Sequence, residues 1–358
     1  MSNRPRKLGF ALLTTLGVLL MIELGARGWE SMNPELPPVP LPAPGPVECL
    51  PDCMPGVASM PEQPDGLPRG IPMQQHPTRG WILPPGVEMV ETGVRTRVNS
   101  LGMRGPEVPQ ERASGEVRLL TLGDSSIFGY GVEEHQVFEQ VASTVLRTFW
   151  RSPVRGFNGG TPGHTSVQAL ATLIEIGPVV RPDWVVIGAI WSDLFQTDTP
   201  LTRPPGTRYP LATYRVGTRL LAPWLPARKV GWVDASKGVG TPADDRVSRT
   251  ALERYERTLV EIVAETQRLG ARPVFVALPA PVDLGEDAPP ELIGRYRKIM
   301  AKVAAEADAP FIDGRSIFRE AGAGYSEFYD QIHPSKTGHA RLGSALASTL
   351  SPYKPTTQ

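Results

Sequence analysis

The segment Trp184-Val185-Val186-Ile187-Gly188-Ala189-Ile190 is apolar on both faces of any strand it forms. A strand without a polar face has to be covered on both sides. That is the condition of a parallel sheet held between two layers of helices. Four further runs read as strands of the same kind: 118–122, 154–157, 273–278 and 310–312. Helical patterns fall between and after them, over 137–149, 166–176, 249–269 and 291–307, with a last helix after His333. In the longest of these, Leu252, Tyr255, Leu259, Ile262, Val263, Thr266 and Leu269 share one face. Ser248 is placed to cap its start, and Gly270 to end it in a left-handed conformation. With 358 residues, 41% of them hydrophobic, the chain can bury the core of one large domain or two small ones. The pattern predicts an α/β fold.

The first 75 residues do not belong to this alternation. Arg4, Arg6 and Lys7 precede an apolar run from Leu8 to Ile22, which Glu23 interrupts. Residues 1–28 therefore read as a membrane anchor or a signal peptide. Either reading puts the rest of the chain in the periplasm or outside the cell. Residues 29–75 contain Pro34, Pro37, Pro38, Pro40, Pro42, Pro44 and Pro46 and predict an extended, polyproline-like linker. The two cysteines, Cys49 and Cys53, lie inside it. A local disulfide and a pair of free thiols are both open. Residues 76–358 are the expected catalytic domain. Within it, 76–115 form an extension with short strands at Gly80-Trp81-Ile82-Leu83 and Val94-Arg95-Thr96-Arg97-Val98. Residues 196–245 form a proline-containing insertion near the site.

Charge excludes one class of partner. Lys+Arg and Asp+Glu each number 37, so no basic excess points to nucleic acid. The five histidines have no zinc-type spacing, and neither a dinucleotide fingerprint nor a phosphate loop is present. The sequence implies no metal and no cofactor.

The chemistry gathers at strand ends, where parallel sheets place their sites. The first strand stops at Gly123-Asp124-Ser125-Ser126 and offers Ser125 as a nucleophile. The second is followed by Asn158-Gly159-Gly160-Thr161-Pro162-Gly163, and the third by Trp191-Ser192-Asp193. Near the C-terminus, Asp330-x-x-His333-Pro334 supplies a base for the serine and a carboxylate to orient that base. The backbone N–H groups of Ser125 and Gly163 are candidate oxyanion donors. Asp124, Asn158 and Asp193 are candidates for supporting the loops. Ser126 reads as a helix-start residue, and His135 and His339 as structural. His164 reads as a surface or supporting residue near the cleft, and Arg246 as a solvated residue ahead of the long helix.

These four blocks, in this order and spacing, resemble the GDSL or SGNH hydrolase superfamily. Gly80-Trp81, Pro84-Pro85-Gly86 and Asn99-Ser100-Leu101-Gly102-Met103-Arg104-Gly105 resemble the leader of its membrane-anchored bacterial members. The resemblance implies a flavodoxin-like three-layer fold with a parallel, roughly five-stranded sheet. It also implies a serine esterase with Ser125 as nucleophile, His333 as base and Asp330 as its partner. Ser125 and Gly163 would be oxyanion donors. The family's third donor is an asparagine of a Gly-x-Asn-Asp block, and Ser192 holds that position here. The substrate class is a small-molecule or carbohydrate ester, with envelope carbohydrate as the expected carrier. An O-acyltransferase using the same three residues is a second reading. A polysaccharide-binding envelope protein with impaired catalysis is a third. The rival α/β-hydrolase fold would want a Gly-x-Ser-x-Gly elbow, which Ser125 lacks.

Overall fold

The computed structural model describes residues 4–32, 71, 74–76, 78–91, 93–195, 212, 213, 216, 245–285 and 291–355. Its contacts divide into two compact units, one from residues 1–43 and 206–229, the other from 44–205 and 230–358. In the first, Arg4–Met32 form one helix, α1. Glu23 on α1 accepts hydrogen bonds from the N–H of Ala212 at 2.7 Å and from the N–H and hydroxyl of Thr213 at 3.0 and 2.6 Å. Among the described residues no helix is long and apolar enough to cross a membrane. The side chains of 4–13 fall outside that description. So do Cys49, Cys53, the proline-rich segment and most of the expected insertion.

The second unit opens with two antiparallel ribbons. Strand β1 (Gln74–His76) pairs with β2 (Gly80–Ile82), and β3 (Glu88–Glu91) with β4 (Val94–Arg97). The alternation follows: β5 (Val117–Leu122), α2 (Ser125–Phe128), α3 (Phe138–Trp150), β6 (Val154–Asn158), α4 (Ser166–Val180), β7 (Trp184–Ile187) and α5 (Trp191–Phe195). Then come α6 (Asp245–Arg268), β8 (Arg272–Ala277), α7 (Glu291–Glu306), β9 (Phe311–Asp313), α8 (Gly314–Glu320) and α9 (Lys336–Leu350). Strands β6-β5-β7-β8-β9, in that order, form one five-stranded sheet, parallel throughout. Helix α3 packs on α9, while α4, α6 and α7 pack in series. This is the α/β architecture that the sequence pattern predicts, and its five-stranded parallel sheet is the one that the family resemblance implies.

The apolar strands are buried as their composition requires: every residue of β5 and β7 is inaccessible or nearly so. Arg118 is the exception in kind. Its guanidinium, fully buried in β5, donates to Glu116 at 2.6 Å and to the carbonyls of Val180, Pro109 and Glu111. A buried charge is tolerable only when its donors are paired in this way.

Several boundaries differ from expectation. Strand β7 ends at Ile187, three residues short of the apolar run and level with the end of its neighbour β5 at Leu122. Helix α4 runs past Ile176 to Val180 and includes Pro178, whose missing N–H removes one bond from the last turn. Helix α6 starts at Asp245, so Ser248 is not its cap and Arg246 lies within it. The apolar period begins only at Leu252, so the periodicity carries no mark of the polar turn ahead of it. Gly270 does follow this helix at φ +74°.

The segment before the sheet reaches into it through Arg104. This buried side chain donates to Phe128 O at 2.8 Å, Gly129 O at 2.6 Å and Val132 O. A guanidinium so satisfies the carbonyls at the C-terminal end of the short helix α2, where helix geometry leaves them without internal donors. Arg104→Met removes all three bonds at once. It is expected to lower the unfolding free energy by about 3–5 kcal/mol, read as a reduced midpoint in urea.

Candidate active site

Ser125 is the first residue of α2. Asp124 caps that helix, its Oδ1 accepting the Ser126 N–H at 3.0 Å. The turn is tight because glycines let backbone approach it. A Cβ on Gly160 would stand 2.4 Å from Phe128 N, so only glycine lets the second-strand loop lie against α2. Asp124 is fully buried, and its Oδ2 also accepts the N–H groups of Trp191 and Ser192 at 3.0 and 3.3 Å. Burial raises this carboxyl above its ordinary value against the pull of those N–H groups and of His333.

The loop before α9 completes the arrangement. Ser125 Oγ lies 2.7 Å from His333 Nε2, and His333 Nδ1 lies 2.6 Å from Asp330 Oδ2. Asp330 Oδ1 accepts the N–H groups of Ile332 and His333, each at 2.9 Å. Burial by itself would raise the Asp330 carboxyl. The charge and hydrogen bond of His333, together with those two N–H groups, hold it below its usual range. A carboxylate can only accept, so Nδ1 carries a proton and the Nε2 lone pair faces the serine hydroxyl. That is the tautomer in which the ring can take a proton from Ser125. The Tyr130 ring lies 4.7 Å from the His333 ring, and Tyr329 meets Tyr130 edge to face at 5.6 Å.

The supporting residues behave differently from one another. Asn158 donates to Ile127 O at 2.8 Å and Glu139 Oε1 at 3.0 Å and accepts the Gly160 N–H at 3.0 Å, fixing the glycine loop against the Ser125 turn. Asp193 accepts the Ser166 N–H at 2.7 Å and hydroxyl at 2.6 Å. It holds the start of α4, and burial raises its carboxyl to about 7. Ser192 is buried and tied to Asp124 through its N–H; among the described residues no hydrogen bond joins its hydroxyl to Ser125, His333 or Asp330. Ser125 N–H has no acceptor within α2, as expected for a first helical residue. Gly163 is buried in the glycine loop at φ +78°.

One histidine reading changes and another holds. His164 is not at the surface: it is fully buried and hydrogen-bonded to Trp81 O at 2.8 Å, because the β2 segment covers the loop. His339 is structural, and its Nδ1 accepts the first N–H of α3 at 3.3 Å. Ser126 lies at the start of α2 as expected, and its hydroxyl also donates to Ile332 O at 3.0 Å across 206 positions, a contact no local pattern announces. That bond joins the Ser125 turn directly to the Asp330–His333 loop. Among the described residues no cluster of acidic, histidine or cysteine side chains could hold a metal ion.

Residues 121–341, well over half of the chain, match the GDSL-like lipase/acylhydrolase family. The chain belongs to that family. It is a serine esterase, a hydrolase of ester bonds. The esterase has no match among curated proteins. Among solved structures it is similar to a catalytic mutant of Axe2, an acetylxylan esterase from Geobacillus stearothermophilus. The identity there is 18% and the TM-score 0.45, over 68% of this chain and 97% of that one. It is similar also to LAE5, an alpha/beta hydrolase enzyme from the metagenome of Lake Arreo, Spain, with 18% identity, a TM-score of 0.45 and coverage of 67% and 97%. For TesA the identity is 18%, the TM-score 0.44 and the coverage 66% and 98%.

Glu139 sets a pH dependence beneath this site. Burial raises its carboxyl from 4.5 to about 7, against the hydrogen bond from Asn158 and the charge of Arg104. The folded esterase therefore keeps this proton up to about pH 7, while the unfolded chain releases it near 4.5. Between those values the folded state binds more protons, so this group's contribution to stability falls as pH rises. Glu139→Gln abolishes the effect. The stability of the wild type relative to this variant is expected to drop by on the order of 3 kcal/mol from pH 4.5 to pH 8, measured by denaturant unfolding at both pH values.

Proposed function

We propose that the esterase works through an acyl-enzyme formed on Ser125. The observation that carries this reading is the continuous hydrogen-bonded chain from Ser125 Oγ through His333 to Asp330. Ser125 Oγ attacks the ester carbonyl as its proton passes to His333 Nε2. The imidazolium, held by Asp330, then returns that proton to the departing alkoxide, and the alcohol leaves. Water repeats the sequence on the acyl-enzyme: its proton goes to Nε2, and Ser125 is released as the carboxylic acid departs. The N–H groups of Ser125 and Gly163 receive the negative charge on the carbonyl oxygen, with the Ser192 hydroxyl as third donor.

The substrate in this reading is a small acyl ester of a carbohydrate in the cell envelope. Tyr130 beside His333 supports it, as does Tyr329, which stays 38% exposed. Amphipathic aromatic faces beside the leaving-group position suit the apolar face of a sugar. The location proposed is extracytoplasmic, with residues 1–28 as a membrane anchor and 29–75 as a spacer. The basic cluster Arg4, Arg6 and Lys7 supports it, and so do the exposed Leu16, Leu19, Leu20, Met21 and Ile22 on α1.

A fluorophosphonate probe is expected to label the wild type and to leave Ser125→Ala unlabelled. Labelling of the alanine variant would remove Ser125 as nucleophile. Ser192→Ala is expected to lower kcat on a soluble acetyl ester by about ten-fold or more. An unchanged kcat there would assign Ser192 no part in stabilising the oxyanion.

A further inference from the structure

Thr161-Pro162-Gly163-His164 form a type II β-turn. The His164 N–H donates to Thr161 O at 3.0 Å. Pro162 in second place excludes a positive φ there, and Gly163 in third place has φ +78°. The peptide joining Pro162 to Gly163 is trans, so its C=O and N–H point in opposite directions. Fixing the carbonyl therefore fixes the aim of the Gly163 N–H.

Trp81 fixes that carbonyl. Its indole N–H donates to Pro162 O at 2.9 Å in a buried bond. Its backbone carbonyl accepts from His164 Nε2 at 2.8 Å, and the two rings meet edge to face at 5.6 Å. One residue so grips the turn on both sides of Gly163. A carbonyl only accepts, which places the His164 proton on Nε2, and burial, lowering the ring's pKa to about 3, keeps it neutral. Types I and II differ by a flip of the central peptide. The flip would carry Pro162 O off the indole and turn the Gly163 N–H round.

We propose that Trp81 is a positioning residue for the oxyanion site: it holds the Pro162–Gly163 peptide in the one orientation that aims the Gly163 N–H at the acyl oxygen. The proposal rests on the reading of Gly163 as an oxyanion donor. Trp81 lies ahead of residues 121–341, so the geometry of catalysis draws on a segment outside the family domain.

The test compares Trp81→Phe and Gly163→Ala in the full chain, with a soluble acetyl ester. Trp81→Phe keeps a ring and removes the donor. It is expected to lower kcat about 10–100-fold with KM within about two-fold, because the affected hydrogen bond strengthens only as charge develops. Site-specific replacement of the indole by benzothiophene, which deletes the N–H and keeps the shape, carries the same test if the Phe variant does not fold. Unchanged kcat in the tryptophan variant, with a loss in Gly163→Ala, overturns the proposal and leaves the donor reading standing. Unchanged kcat in both also overturns the proposal, because alanine keeps the N–H but strains the turn at φ +78°, and an undisturbed rate then shows that catalysis does not depend on the turn's orientation. A loss of kcat that vanishes well below the variant's melting temperature marks a purely structural role and also overturns the proposal.

Discussion

The buried carboxylate of Asp124 is the contact on which the site depends. Strands β5 and β7 lie side by side and each leads into a short helix whose first N–H groups have no internal acceptor. One oxygen of Asp124 takes the Ser126 N–H and the other takes those of Trp191 and Ser192. Two strand ends are locked together by a group too short to permit slack. Ser125, next in the chain, inherits a fixed direction. The cost is a desolvated acid, and the three N–H groups around it offset that cost.

Around this centre the turn that carries Ser125 is held by bonds between segments remote in sequence. Ser126 ties it to the loop carrying His333, Arg104 to the strands before the sheet, and the Asn158–Glu139 pair to β6 and α3. Each bond ends on a backbone carbonyl or a buried acid, so losing it leaves an unpaired polar group in the interior. A hydroxyl and an imidazole at 2.7 Å need such a frame, because small displacements of either remove the productive contact.

Much of this was legible in the chain. The apolar runs named every strand of the main sheet, and the helical periods named the longer helices, because burial on both faces writes itself into composition. Strand and helix ends were less legible. The run 184–190 stays apolar beyond β7 because Gly188, Ala189 and Ile190 line the core as a loop; a Cβ on Gly188 would stand 2.3 Å from Ile127. The start of α6 was misread because its first turn is polar in sequence and carries no apolar period. The ribbon strands β1 and β3 escaped notice because Gln74-Gln75-His76 holds no apolar residue and Glu88-Met89-Val90-Glu91 shows no alternation.

By itself the sequence determined the sheet class, the Gly123–Ser126 turn at the end of β5 and the Asp330–His333 pair. All three are local patterns, set within a few residues by burial and hydrogen-bond geometry. Only the tertiary structure decided that Ser126 reaches Ile332, that Asp193 serves Ser166 rather than the acyl group, and that Trp81 and His164 clasp the glycine loop. These contacts join positions between 27 and 206 residues apart. Their partners are mostly backbone atoms, which every residue possesses, so side-chain identity alone cannot name them.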